Sequence, residues 1–398
     1  MKSGFVLFVL TLLTIAFCIG CRSHVQPESK FQILPGAYQI QDYLPDLQNR
    51  KVAIVANHTS YIGNTHLIDS LVSLGISVKM IFTPEHGLQG NADAGTKVNN
   101  GLYKGIPVIS LYGNKKKPSV KDLDSCEVVV FDLQDVGARF YTYISTLTYV
   151  METCVEADKP LIVLDRPNPN GFYVDGPVLN TQFSSFIGLH PIPVVYGMTI
   201  GEYALMVKGE HWFNRVENLD LKVMKCLNYA HSSRYKLPIH PSPNLPNMRS
   251  VYLYPSLCFF EGTEVSVGRG TDFPFQVIGC PEFSDTGFSF TPESKPGASL
   301  NPPYKGKTCF GMDLRNVSMD SLVSRHSLDL SYLLRFYSVL NDSASFFKKY
   351  FTLLAGTNAL QIQIEHGMSE KEIRDSWQKD IKAFKKIRIK YLLYPDFE

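Results

Sequence analysis

Glu85 and His86 follow directly on an apolar run, Val78–Phe82, and are framed by Pro84 before them and Gly87 after. A carboxyl group beside an imidazole is equipment for general acid–base chemistry. The arrangement recurs down the chain. Asn57 and His58 follow Val52–Ala56, Asp135 follows Val128–Leu133, and Asp165, Arg166 and Asn168 follow Leu161–Leu164. One such stretch reads as a polar turn. Several in succession, each at the end of an apolar run, read as a site assembled from separate loops.

The apolar runs are short, rich in β-branched residues and, apart from Lys79 and Asp132, apolar throughout, the signature of strands buried on both faces. A further run, Val108–Leu111, ends in Tyr112-Gly113. Helical spacing separates them, over Asn64–Leu74 with a stop at Gly75, and over Thr146–Ala157. Strands alternating with helices predict an α/β fold, a Rossmann-like, doubly wound, mostly parallel sheet, here over residues 31–205. Its carboxyl ends lie along one edge, so the polar residues that follow each strand converge there. A turn and helix over Gly197–Val207, carrying Glu202, close that domain. Residues 206–398 are expected to form a smaller C-terminal α/β (α+β) domain. It holds the Pro-rich loop Leu237–Asn247 and an apolar run that turns into Glu261, Glu264 and Arg269. Helices are expected over Leu328–Leu340 and Glu370–Arg388, with Lys379–Lys390 as a solvated basic face.

The chain has 398 residues, 39 basic against 37 acidic, for a formal charge of +2. That balance offers no field for a polyanion, so nucleic acid is not an expected partner. No GxGxxG follows the first strand and no GxxxxGK[ST] occurs, so no nucleotide cofactor is expected. Six cysteines lie beyond Cys21, none in CxxC pairs. They read as buried free thiols, with no metal site. At the N-terminus, Lys2, an apolar run from Phe5 to Ile19 and then Gly20-Cys21 read as an export signal over residues 1–20. The junction resembles the lipobox of bacterial lipoproteins, although Cys18 stands where that motif usually has Leu. The resemblance implies a lipid on Cys21, a tether over residues 21–30 and a protein anchored to a membrane, facing the periplasm.

Six longer motifs occur in order: TPEHGLQG, FDLQDVGARFYTYISTL, VLDRPNPNG, GMTIGE, PSPNLP and FEGTEVSVGRGTDFPF. Together they resemble the exo-β-N-acetylmuramidase family of peptidoglycan glycoside hydrolases, from about Lys51 to Phe283 and more loosely beyond. The resemblance implies a Rossmann-like domain and a smaller C-terminal domain with the active cleft between them. It also implies release of terminal N-acetylmuramic acid from the non-reducing ends of peptidoglycan fragments.

On that resemblance Glu85 is the catalytic glutamate, here given the role of general acid, with His86 orienting it or moving a proton. Glycoside hydrolysis often uses a second carboxylate. Asp135 is the first choice, with Glu202, Glu261 and Glu264 behind it, and attack by the substrate's own acetamide is the other route. Asn57, His58, Asp165, Asn168, Asn244 and Glu261 are expected to bind substrate. Arg139, Arg166 and Arg269 are the choices for the lactyl carboxylate that distinguishes muramic acid, the first two ahead because they share the sheet edge with Glu85. The competing reading is a non-catalytic lipoprotein that captures sugars or muropeptides.

Overall fold

The computed structural model describes residues 32–90, 100–284, 287–340 and 346–398. Its centre is a seven-stranded sheet. The strands are β1 (Lys51–Ala56), β4 (Ser77–Thr83), β5 (Gly101–Tyr103), β6 (Ile106–Ser110), β7 (Val128–Asp132), β8 (Leu161–Leu164) and β9 (Leu221–Met224), in the spatial order β5-β6-β4-β1-β7-β8-β9. All pairs are parallel except β5 with β6, a short hairpin that ends one edge. Each of the five predicted strands has its counterpart, with ends moved by up to two residues. β5 and β9 are additional. β9 lies past residue 205, so the sheet takes its last strand from beyond the expected domain junction.

Alternation along the strands sorts the core into two layers. Val52, Ile54, Val128, Val130, Ile162 and Leu164 point to one face, where α1 (Ile40–Leu47) and α2 (Leu67–Ser73) cover them with Tyr43, Leu47, Leu67, Ile68 and Leu71. Ala53, Val55, Val129, Phe131, Leu161 and Val163 point to the other. There α3 (Tyr143–Glu156) and α4 (Ile200–Gly209) bury Ile144, Leu147, Met151, Ala204 and Val207. This second core continues without a break into Phe259, Phe336 and Phe351 of the C-terminal half, and Ile33–Glu398 forms one compact unit.

The helix predicted over Asn64–Leu74 is shorter, because a two-stranded ribbon, β2 (Tyr61–Ile62) with β3 (Thr65–His66), occupies its first turn. The His66 imidazole then caps α2 by accepting from the Ile68 amide. The C-terminal half adds an antiparallel sheet, β10 (Val277–Cys280), β11 (Ser289–Phe290) and β12 (Cys309–Asp313), in the order β10-β12-β11. It also adds α5 (Met248–Leu257) and a long helix over Glu370–Arg388. That helix buries Ile373, Trp377, Ile381 and Phe384, spaced to lie on one stripe. Its basic run is largely solvated, with one exception. Arg388 is buried, donating to the Gly197 carbonyl and pairing with Asp396.

The connectivity locates the crevice. After β1 the chain moves outward through β4 and β6, then returns to the other side of β1 at β7 and continues outward through β8 and β9. The helix after β1 covers one face and the helix after β7 the other. The loops at the carboxyl ends of β1 and β7 therefore diverge, which opens a crevice at this switch point. The carboxyl end of β4 stands beside it.

Candidate active site

Pro84 ends β4 and starts a turn closed by a hydrogen bond from the Gly87 amide to the Pro84 carbonyl, 3.1 Å. Glu85 is half-buried on this turn, and His86 beside it is buried. His86 has φ 68°, a left-handed conformation that residues other than glycine rarely adopt. Its ring is held at Nε2 by the Ser242 hydroxyl, 3.0 Å away, which also accepts from the Asn244 amide at 3.1 Å. The Pro-rich loop thus meets the end of β4.

Two other side chains fix that loop through its main chain. Tyr141 donates to the Pro241 carbonyl at 2.8 Å. His58 Nε2 lies 2.9 Å from the His240 carbonyl; because a carbonyl can only accept, that nitrogen carries the proton. Burial, chiefly, pushes the His58 pKa down to about 4, so the ring is neutral at pH 7. Asn57 plays a related part on the sheet side. Its amide donates to the Tyr143 hydroxyl at 2.9 Å, while its Oδ1 takes the Thr59 amide and hydroxyl. This joins the end of β1 to the start of α3 across the switch point.

The resulting cavity is lined by Glu85, His86, Ser242, Asn244 and Arg269 on its polar side. Phe140, Tyr141, Tyr143, Tyr254 and Phe275 supply an aromatic wall. Its rings pack edge to face, Tyr141 on Tyr143 at 4.7 Å and Tyr254 on Phe275 at 5.0 Å between centroids. Burial, with a smaller contribution from the Glu85 charge, raises the Tyr141 and Tyr143 pKa values, so both hydroxyls stay protonated. Arg269 reaches in from the C-terminal half, held at Nε by Glu261 at 2.5 Å. The arrangement joins a carboxyl group, an imidazole, a guanidinium and apolar ring faces, a set suited to a sugar that carries an anionic group.

Of the residues singled out in the sequence, Glu85, His86, Asn244 and Arg269 line this cavity, with Asn57, His58 and Glu261 directly behind them. The others are committed elsewhere. Arg139 is fully buried and donates to four carbonyls, those of Pro177, Ile192, Leu354 and Ala355, at 2.7–2.9 Å. Arg166 makes a buried two-pronged pair with Asp132, the last residue of β7, at 2.6 and 2.8 Å. Neither is available for a substrate carboxylate, which corrects the expectation that placed them ahead of Arg269. Asp165 accepts from the Arg166 and Gly201 amides and from the Thr199 and Tyr394 hydroxyls, anchoring α4. Asn168 donates to the Met198 carbonyl and accepts from the Asn170 amide.

Asp135, expected as the second carboxylate, lies outside the lining. Its Oδ2 accepts from the Gly137 amide at 2.7 Å and from the Tyr196 hydroxyl, and burial raises its pKa to about 7. Glu202 accepts from the Thr199 and Leu393 amides and pairs with His231, and Glu264 faces Lys348. Ser242, Tyr254 and Phe275 were not anticipated. Ser242 sits inside the PSPNLP motif, but neither it nor Tyr254 and Phe275 gave a signal in the sequence. Among the described residues no three His, Cys, Asp or Glu side chains are grouped to hold a metal ion.

Comparison with known proteins adds a second line. Family models described as exo-beta-N-acetylmuramidase NamZ match residues 52–249 (the N-terminal model) and 252–394 (the C-terminal model). The peptidoglycan beta-N-acetylmuramidase NamZ of Bacillus subtilis (strain 168) is 36% identical over 377 residues, 89% of each chain. Two crystal structures of DUF1343 family proteins from Bacteroides fragilis NCTC 9343 each cover 92% of this chain and are themselves covered completely. One has a TM-score of 0.84 at 45% identity, the other 0.74 at 26%.

Proposed function

The chain belongs to the exo-β-N-acetylmuramidase NamZ family, and from that premise we propose a role for each part of the cavity. The protein is an exo-acting glycosidase that removes N-acetylmuramic acid from the non-reducing ends of peptidoglycan fragments. Glu85 is the general acid that protonates the leaving oxygen, and His86, fixed by Ser242, orients it. The observation that carries this assignment is the Glu85-His86 turn at the carboxyl end of β4, inside a cavity with an aromatic wall. A binding protein would gain little from such an acid.

The test is incubation with a chromogenic N-acetylmuramide and with a longer glycan fragment. Free N-acetylmuramic acid should appear from the first time point, with the fragment losing its one terminal residue and no internal bond being cut. Internal cleavage, or binding without turnover, would remove the assignment.

The second part of the proposal concerns location. Cys21, which lies outside the described residues, is lipidated, and the protein is a bacterial lipoprotein anchored to a membrane and facing the periplasm. Lys2, the apolar run and Gly20-Cys21 support this. Cys21→Ala should move the protein from the membrane to the soluble fraction; retention there with an intact N-terminus would refute the lipid.

A further inference from the structure

Two polar atoms in the cavity lining are buried and lack hydrogen-bond partners: Arg269 Nη1 and Asn244 Oδ1. A buried polar group left unpaired carries a desolvation cost, so each such atom in a cavity asks for a ligand. Both are firmly oriented. Glu261 takes the Nε edge of Arg269, and the Phe275 ring lies 5.3 Å from the guanidinium carbon. Gly268 and Gly270, with φ of 76° and 84°, place Arg269 on a backbone path that other residues rarely follow. Asn244 donates its amide NH₂ to the Ala298 carbonyl at 3.0 Å, which leaves Oδ1 as an acceptor aimed away from that bond.

The open positions are thus a cationic donor and a neutral acceptor in one cavity. N-acetylmuramic acid presents the complement on adjacent ring carbons, an anionic lactyl ether on O3 and an acetamide N–H on C2. We propose that Arg269, through Nη1, and Asn244, through Oδ1, form the subsite that reads these two groups, with Glu261 as the positioning residue for Arg269. A guanidinium suits this task because it can meet a carboxylate with directional, charge-assisted bonds while its other edge stays tied. Burial opposes the charge on Arg269, but Glu261 outweighs it and holds the pKa above the ordinary arginine value. The subsite rests on the muramidase reading and adds to it the residues that separate muramic acid from N-acetylglucosamine, which keeps the acetamide and lacks the lactyl group.

The experiment measures inhibition constants for N-acetylmuramic acid, its lactyl amide and N-acetylglucosamine, on the wild type and on Arg269→Ala and Asn244→Ala. The amide is close in shape to the acid and uncharged. Hydrogen bonds to charged groups imply that the wild type binds the acid about 10- to 150-fold more tightly than the amide. Arg269→Ala should abolish that preference and leave N-acetylglucosamine nearly unaffected, whereas Asn244→Ala should weaken all three by a similar factor. Equal wild-type affinity for acid and amide, a measurement independent of any variant's folding, would overturn the proposal, as would an Arg269→Ala variant that keeps the preference. A wild type that neither binds nor cleaves muramides would instead remove the muramidase reading itself.

Discussion

Glu85→Gln is expected to lower turnover of an N-acetylmuramide by about 10²–10⁴-fold, the usual contribution of a positioned proton donor. The substitution keeps the shape and much of the hydrogen bonding of the side chain and removes the transferable proton. Glu85 is half-buried on a turn whose closing bond runs between the backbones of Pro84 and Gly87, so the melting temperature should change little. The loss should depend on the leaving group. An alkyl or sugar leaving group needs protonation as the bond breaks, whereas a nitrophenolate leaves without it. A steep loss on disaccharide with a shallow loss on the aryl glycoside identifies the general acid. Equal losses on both would move Glu85 to the base or nucleophile role, and near-normal rates on both would end its candidacy.

The second large effect is on stability. Burial raises the Asp135 pKa from 3.8 to about 7, against the pull of the Tyr196 hydroxyl and the Gly137 amide. Between about pH 4 and 7 the folded protein therefore keeps a proton that the unfolded chain has released. Stability contributed by this group is greatest at the acidic end and declines as pH rises toward 7, then levels off. At 1.36 kcal/mol per pKa unit, the shift amounts to as much as roughly 4 kcal/mol. Asp165, raised to about 6 by the same cause, adds a decline in the same direction that ends lower. Asp135→Asn is neutral at every pH, and its carbonyl can still accept from Tyr196 and Gly137. Urea midpoints across this range should show the variant gaining on the wild type as pH rises. Parallel curves would mean that Asp135 is ionised throughout in the folded state.

The main features of the sheet were legible because buried parallel strands are continuous apolar runs, and Pro84 and Gly87 marked where one of them turned to chemistry. β9 was not legible: Leu221–Met224 is four residues long, includes Lys222 and lies among irregular segments. The site was legible where residues act close to their strand, as Glu85 and His86 do. It failed for the arginines. Chain position put Arg139 and Arg166 near the right edge, but side-chain direction depends on partners that sequence spacing does not reveal. Arg166 turns to Asp132, and two of the carbonyls that hold Arg139 come from Leu354 and Ala355, more than two hundred residues away. Ser242 was obscured for another reason. A Pro-rich loop has no periodicity, so nothing in it says which side chain faces inward.

The buried thiols provide a means of watching the protein open. Cys126 and Cys154 sit beside the parallel sheet, Cys226 just beyond its last strand, Cys258 at the end of α5, and Cys280 and Cys309 on paired strands of the antiparallel sheet. Burial raises the pKa of each. In the folded state all six are therefore shielded and poorly nucleophilic, and alkylation must wait for local or global unfolding. Each cysteine becomes a clock for its own neighbourhood. Labelling times read by peptide mass would show whether the two sheets open as one cooperative unit, as their continuous core implies, or in separate steps.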